Sequence, residues 1–188
     1  MIVNLINESS ARVLLFLAIS PGSRYLRKEI KEKTMINNVP LDYALSELLM
    51  FRMIKLEKKF YSFNLENETA RLAFNEIKEK IGGLPLNVQF ILLDFIHKVS
   101  KIRGISNIIL FGSYAKLIFS EKSDIDIAII FKDNDSKKKN DKKINSLADN
   151  LSKKYKKEIQ THFFVEEDLK HKEDPLIKDI LRNGREII

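Results

Sequence analysis

Between Glu8 and Ser20, Val13, Leu14 and Leu17 recur at helical spacing, and Pro21-Gly22 closes the segment. Ser23–Thr34 reads as a second helix with Leu26 and Ile30 inward. Asn37-Asn38-Val39-Pro40 opens a third, with Leu41, Ala44, Leu45, Leu48 and Leu49 on one face. The period then changes. Met53-Ile54-Lys55-Leu56 and Phe60-Tyr61-Ser62-Phe63 read as two strands of a hairpin around Glu57-Lys58-Lys59. Thr69–Ile81 is helical again and stops at Gly82-Gly83, where a boundary is expected. Pro85 suits a first helical position. Asn87–Ile102 follows, apolar on most sides (Val88, Phe90, Ile91, Leu92, Phe95, Ile96, Val99), as in a helix packed under a sheet.

The second half carries two strongly apolar runs. Ile108-Ile109-Leu110-Phe111 ends in Gly112-Ser113, and Ile125-Ile127-Ala128-Ile129-Ile130 holds Asp126 and is preceded by Asp124. Ile144, Leu147, Ala148 and Leu151 then mark an amphipathic helix, and Glu158–Phe164 a further strand. Glu166, Glu167 and Asp168 are expected to start the next helix, where negative charge suits the dipole. A closing helix spans Pro175–Gly184. No internal repeat is evident. The pattern divides the chain into 1–65, a helical segment 66–83 that serves as connector or dimer seam, and 84–188.

Asp124 and Asp126 carry the chemistry. Side chains two apart on a strand share a face, with Cα atoms about 6.5–7 Å apart. Ile125, Ile127 and Ile129 then point to the opposite, buried face. Two carboxylates so placed repel unless a cation sits between them. Magnesium suits the position, because it takes oxygen ligands and shares one or two carboxylates with substrate phosphates. Gly112 permits a sharp turn and close approach of a ligand to the backbone. If Ser113 opens a short helix through Tyr114–Ile118, its free N–H groups and hydroxyl face the same place, a setting for phosphate.

Gly112-Ser113 followed by Asp124-Ile125-Asp126 resembles the signature of the nucleotidyltransferase superfamily, with its polymerase-beta-like palm, and most of all its small prokaryotic members. The likeness runs from about Leu84 to the C-terminus and includes the closing helix. It implies that Gly112 and Ser113 hold a triphosphate and that Asp124 and Asp126 bind magnesium (or manganese). The implied reaction transfers a nucleoside monophosphate from a nucleoside triphosphate to an acceptor hydroxyl and releases pyrophosphate. The family usually places a third carboxylate on a later strand. Here the best-matched positions are Gln160 and His162, neither an acid, while Glu158 shares their face one or two steps early. His162 could accept a proton. The alternative is a palm that only binds nucleotide.

The first segment, three helices and a hairpin, resembles a winged helix of the kind found in many prokaryotic regulators. The fold class expected is therefore α+β: a winged helix joined to a small α/β palm with a mixed sheet. The third helix exposes Asp42, Tyr43, Ser46 and Glu47, a poor set for base edges and phosphates. Basic residues flank it: Arg24, Arg27, Lys28 and Lys31 before, Arg52, Lys55, Lys58 and Lys59 after. Nucleic-acid contact through this segment stands beside protein contact or homodimerisation. Small transferases of this kind often act as antitoxins on a partner protein, so a protein partner of that type is a third expectation.

Composition narrows the field. With no Cys, disulfide, zinc-thiolate and thiol chemistry are excluded. Met1–Asn7 has no basic leader and Ala11–Ile19 is too short to span a bilayer, so the chain reads as cytoplasmic, without a membrane partner. The net charge of +7 modestly favours polyanions. Lys137, Lys138, Lys139, Lys142 and Lys143 form one basic cluster; Lys153, Lys154, Lys156 and Lys157 form another. Both read as solvated helix faces flanking the triphosphate site. His97 and His171 read as solvated helix residues, and Tyr114 as a packing residue.

Overall fold

In the computed structural model, residues 6–188 are described, and the chain divides into two compact units between Gly82 and Gly83.

The first unit is built around α1 (Glu8–Ile19), in which every residue from Ser10 to Ala18 is buried. A helix apolar on all sides must be enclosed, and α2 (Arg27–Thr34), α3 (Asn38–Met50) and α4 (Glu68–Ile81) all pack on it. The one buried cation among them, Arg12, donates from Nη1 to the Thr34 carbonyl at 3.1 Å. α4 is the segment expected as a connector; it buries Ala70, Ala73, Ile77 and Ile81 within this unit.

A three-stranded antiparallel sheet completes the unit: β1 (Tyr25–Leu26), β2 (Ile54–Glu57) and β3 (Phe60–Phe63), in the order β1-β3-β2. The hairpin turns at Lys58, whose φ of 57° lies in the left-handed region. β1 corrects the expectation of a helix from Ser23. Leu26 is extended and its N–H donates to the Glu29 carboxylate at 2.6 Å, so the helix begins one residue later. Tyr25 and Leu26 pair instead with Tyr61 and Phe60. Helical spacing of Leu26 and Ile30 could not reveal a pairing with a strand that begins at Phe60.

The second unit is a four-stranded mixed sheet in the order β6-β5-β4-β7. β4 (Ile105–Phe111) and β5 (Ile125–Phe131) are antiparallel; β5 and β6 (Ile159–Val165) are parallel, joined through α7 (Asn134–Tyr155). β7 (Arg185–Glu186), which the sequence pattern did not suggest, pairs antiparallel with β4. α7 packs on β5 and β6, and α5 (Leu86–Val99) packs on α7. Asp94 of α5 is fully buried and accepts from Lys154 Nζ at 2.7 Å and Tyr155 Oη at 2.5 Å, which ties the two helices. α8 (Pro175–Asn183) lies over β4. Its Ile180 joins Phe111, Ala128 and Ile130 in an apolar cluster.

That cluster refines the reading of β5. Ile125, Ile127 and Ile129 are fully buried as expected, but Ala128 and Ile130 on the acid-bearing face are buried too. Only Asp126, at the start of the strand, remains partly open.

Several expectations for this unit are corrected. α5 ends at Val99 rather than Ile102, because the chain turns before Gly104, whose φ is +92°. His97 is buried within α5, not solvated. His171 is exposed but follows a short 3-10 turn, Asp168–Lys170, and pairs with Glu173 at 3.1 Å. Glu166–Asp168 do not start an α-helix. Instead the Asp168 carboxylate accepts from the Val165 N–H at 2.9 Å and turns the chain at the end of β6. No helix among the described residues is long and apolar enough to cross a membrane.

Candidate active site

The end of β4 and the start of β5 meet because the strands are antiparallel, with Phe111 opposite Asp126. The chain leaves β4 through α6 (Gly112–Ala115), a single turn, shorter than the expected helix that Ser113 opens and that runs through Tyr114–Ile118. Gly112 opens it with φ +68°, a conformation side-chain-bearing residues rarely adopt. Lys116 and Ile118 close the turn by donating their N–H groups to the Gly112 and Ser113 carbonyls, at 3.3 and 3.0 Å. Tyr114 packs as expected: it is buried and stacks on Phe119 at 4.6 Å.

Glycine at 112 has a second cause. A Cβ there would lie 2.2 Å from Asp126 Oδ2 and 3.0 Å from its Cγ. The Asp126 carboxylate therefore rests directly against the Gly112 backbone. Two motifs separated by a dozen residues become one site through this fit. Ser113, Asp124 and Asp126 are each partly exposed there.

Asp126 is held above the ordinary carboxylate range. Burial is the main cause; His162 opposes it, while Asp124 and Asp179 add to it. Asp179, on α8, is the acid that sequence reasoning missed. It pairs with Lys116 at 2.7 Å and accepts from Asn183 Nδ2 at 2.7 Å. The Lys116 bond, then the Asn183 bond, hold its carboxyl below the usual range. Nothing in the local pattern of Pro175–Asn183 marks Asp179 as facing the sheet; the Asp179/Asn183 spacing alone reads as an ordinary helix pair.

The three candidates for the missing acid are now placed. Gln160 is the register partner of Asp126 on β6. Its Nε2 donates to Asp124 Oδ2 at 2.9 Å and to Glu158 Oε1 at 3.3 Å. One amide thus bridges Asp124 and Glu158. His162 pairs with Ala128, one step further along the acid-bearing face, with its ring edge-on to Phe111 at 5.1 Å between centroids.

A nucleotidyltransferase family model, described as polymerase beta, nucleotidyltransferase, matches residues 94–188, half of the chain. The chain belongs to the polymerase beta nucleotidyltransferase family. Membership supports nucleotidyl transfer as its general activity and a nucleotide as substrate. No curated protein matches the chain. The match begins within α5 and includes every site residue named above. The nucleotidyltransferase domain contains no group of three or more His, Asp or Glu side chains arranged to hold a metal among the described residues.

The basic clusters separate. α7 starts where β5 ends, so Lys137–Lys143 lie at the far end of the sheet, not beside the site as the sequence implied. The second cluster returns to the site end. Lys157 Nζ donates to the Glu121 carbonyl at 2.7 Å and lies 5.3 Å over the Tyr114 ring, while Lys154 is committed to Asp94.

Proposed function

We propose that the second unit is a magnesium-dependent nucleotidyltransferase that moves a nucleoside monophosphate from a nucleoside triphosphate to an acceptor hydroxyl, releasing pyrophosphate. The observation that carries this is the fit of the Asp126 carboxylate against Gly112, which joins the Gly-Ser turn to the aspartate pair. Asp124 and Asp126 would hold the metal, and Gly112 and Ser113 the triphosphate. Two carboxylates completed by phosphate oxygens form the all-oxygen set that magnesium, or manganese, takes. Bound there, the metal supplies neutralisation of the carboxylate pair and polarisation of phosphoryl oxygen. The protein's own share is positional. Gly112 gives the phosphates access to the backbone, Ser113 offers a hydroxyl donor, and Gln160 orients Asp124 through its 2.9 Å bond. Calorimetric titration of the four nucleoside triphosphates with and without magnesium, followed by assay of pyrophosphate release, tests it. Magnesium-dependent binding with release, alone or with cell extract as acceptor source, is the expected result; absence of binding would refute it.

Gln160 favours a second reading, in which the palm only binds nucleotide and serves a regulator. An amide stands where the family usually has an acid, and it cannot accept the acceptor's proton as a carboxylate would. Gln160→Glu separates the two. The new carboxylate would sit among Asp124, Asp126 and Glu158, so magnesium affinity is expected to rise about tenfold or more, with a loss of metal-free stability. Faster pyrophosphate release in the variant supports a transferase slowed by its amide. Tighter binding with no release supports the binding-only palm.

We read the first unit as a winged helix. Its third helix is poorly equipped for nucleic acid, since Asp42 and Tyr43 are exposed and Arg27 is bound to Asp42 at 2.7 Å. Arg24 and Lys55 are likewise paired, with Glu57 and Glu66. Lys58 and Lys59, at the hairpin tip, are the cations best placed for nucleic-acid contact from this unit. A homodimer or a protein partner of the toxin–antitoxin type would use the exposed face of α3, where Val39, Tyr43 and Met50 are open.

A further inference from the structure

The second unit has a concave pocket of about 470 Å³ at the end of the sheet away from Gly112 and Asp126. Ile105 pairs with Phe131 at this end and Phe111 with Asp126 at the other. Six strand steps separate them, roughly 20 Å. One wall is the loop between α5 and β4, with Lys101 and Arg103; the other is the start of α7, with Lys139 and Lys143. Gly104 lies between, so close to α7 that a Cβ would meet Ser136 Oγ at 2.4 Å. Asn140 Nδ2 reaches the Arg103 carbonyl at 3.5 Å, linking the two walls.

Four cations thus converge from two elements on one open pocket, against a single lining acid, Asp135. All four are exposed, and among the described residues none of the four cationic side chains has an ion-pair or hydrogen-bond partner. Three neighbouring cations of the unit are committed, Lys116 to Asp179, Lys154 to Asp94 and Lys137 towards Asp168 at 3.8 Å; what sets these four apart is that they line one pocket. Like charges left unneutralised in a shared concavity raise its potential and draw in anions. Lys139 and Lys143 are one turn apart, about 6 Å along the helix, so the positive charge forms a track rather than a point. No aromatic side chain lines the pocket and only Ile102 is apolar. Base stacking and insertion into lipid therefore have nothing to build on, whereas backbone phosphates do.

We propose that this pocket binds the sugar–phosphate backbone of a nucleic acid, without sequence preference, at a site distinct from the nucleotide site. The role is independent of whether the palm catalyses transfer. Fluorescence anisotropy of a labelled mixed-sequence RNA strand on the full chain, at a series of salt concentrations, tests it. The triple variant Arg103→Glu/Lys139→Glu/Lys143→Glu is expected to bind at least tenfold more weakly. Its slope of log affinity against log salt should be shallower by about 2, given roughly 0.7 per phosphate neutralised on a single strand. Titration of magnesium–nucleoside triphosphate should be unchanged. The neutral set Arg103→Gln/Lys139→Gln/Lys143→Gln should fall between, which guards against misfolding of the reversed set. Lys58→Glu/Lys59→Glu, in the hairpin of the first unit, should leave the pocket's contribution to the slope in place. The proposal is overturned if the intact chain shows no salt-dependent RNA binding, or if the triple variant keeps wild-type affinity and slope. It is also overturned if only the hairpin variant loses binding, or if inorganic triphosphate binds the pocket and RNA does not.

Discussion

Asp124→Asn with Asp126→Asn is expected to abolish magnesium-dependent triphosphate binding while leaving a folded protein. Each substitution keeps the shape of the side chain and removes one charge. The fold should gain, because the metal-free site holds a desolvated Asp126 carboxylate near Asp124 and Asp179. The sign follows from the raised pKa. Above its folded pKa, Asp126 is ionised at a cost to the native state. That cost is relieved as pH falls through the folded value and is gone below the unfolded one. At neutral pH the double variant should therefore be as stable as the parent without metal, or more stable by up to about 1 kcal/mol. Thermal melts with and without magnesium check both halves. The parent should be stabilised by magnesium with nucleotide and the variant should not. Unchanged magnesium-dependent binding in the double variant would sink the site assignment.

Gly112→Ala should damage stability and binding together. The alanine must adopt a φ near +68°, and its Cβ would sit 2.2 Å from Asp126 Oδ2. Backbone strain of this kind costs about 1–3 kcal/mol. The overlap falls on the far end of a short side chain, so the chain can relieve it by swinging the carboxylate away. That movement takes Asp126 off the position where it would bind metal. A loss of about 10–100-fold in magnesium–nucleotide affinity is expected, on the scale seen when a ligand's support is removed. Gly22→Ala is the control: a Cβ there meets nothing within 4 Å, and its effect should stay within about 0.5 kcal/mol. If Gly112→Ala bound nucleotide as the parent does, the contact between turn and aspartate would have no functional weight.

The sequence by itself determined the elements whose information is local. The stop at Pro21-Gly22, the hairpin around Lys58, the apolar runs of β4 and β5 and the closing helix are set by period and by punctuating residues, and they stand where the pattern placed them. It also placed Gly112-Ser113 in the turn that ends one apolar run, and Asp126 on the face of the next strand opposite Ile125 and Ile127. Tertiary structure alone decided what depends on distant partners. β1 and β7 are two-residue strands that exist only because β3 and β4 offer them an edge. The apolar run of α5 announced a covered helix, but only the fold shows that the cover extends over the side that carries His97. Asp179 and Lys116 meet across more than sixty residues, where α8 is brought over the sheet by Ile180. Gln160 reaches Asp124 only through the parallel register of β5 and β6. The lysines of α7 divide between the two ends of the sheet because a 22-residue helix, about 33 Å long, outruns the strands beside it. Periodicity records which face of an element is buried; it does not record what the fold sets against that face.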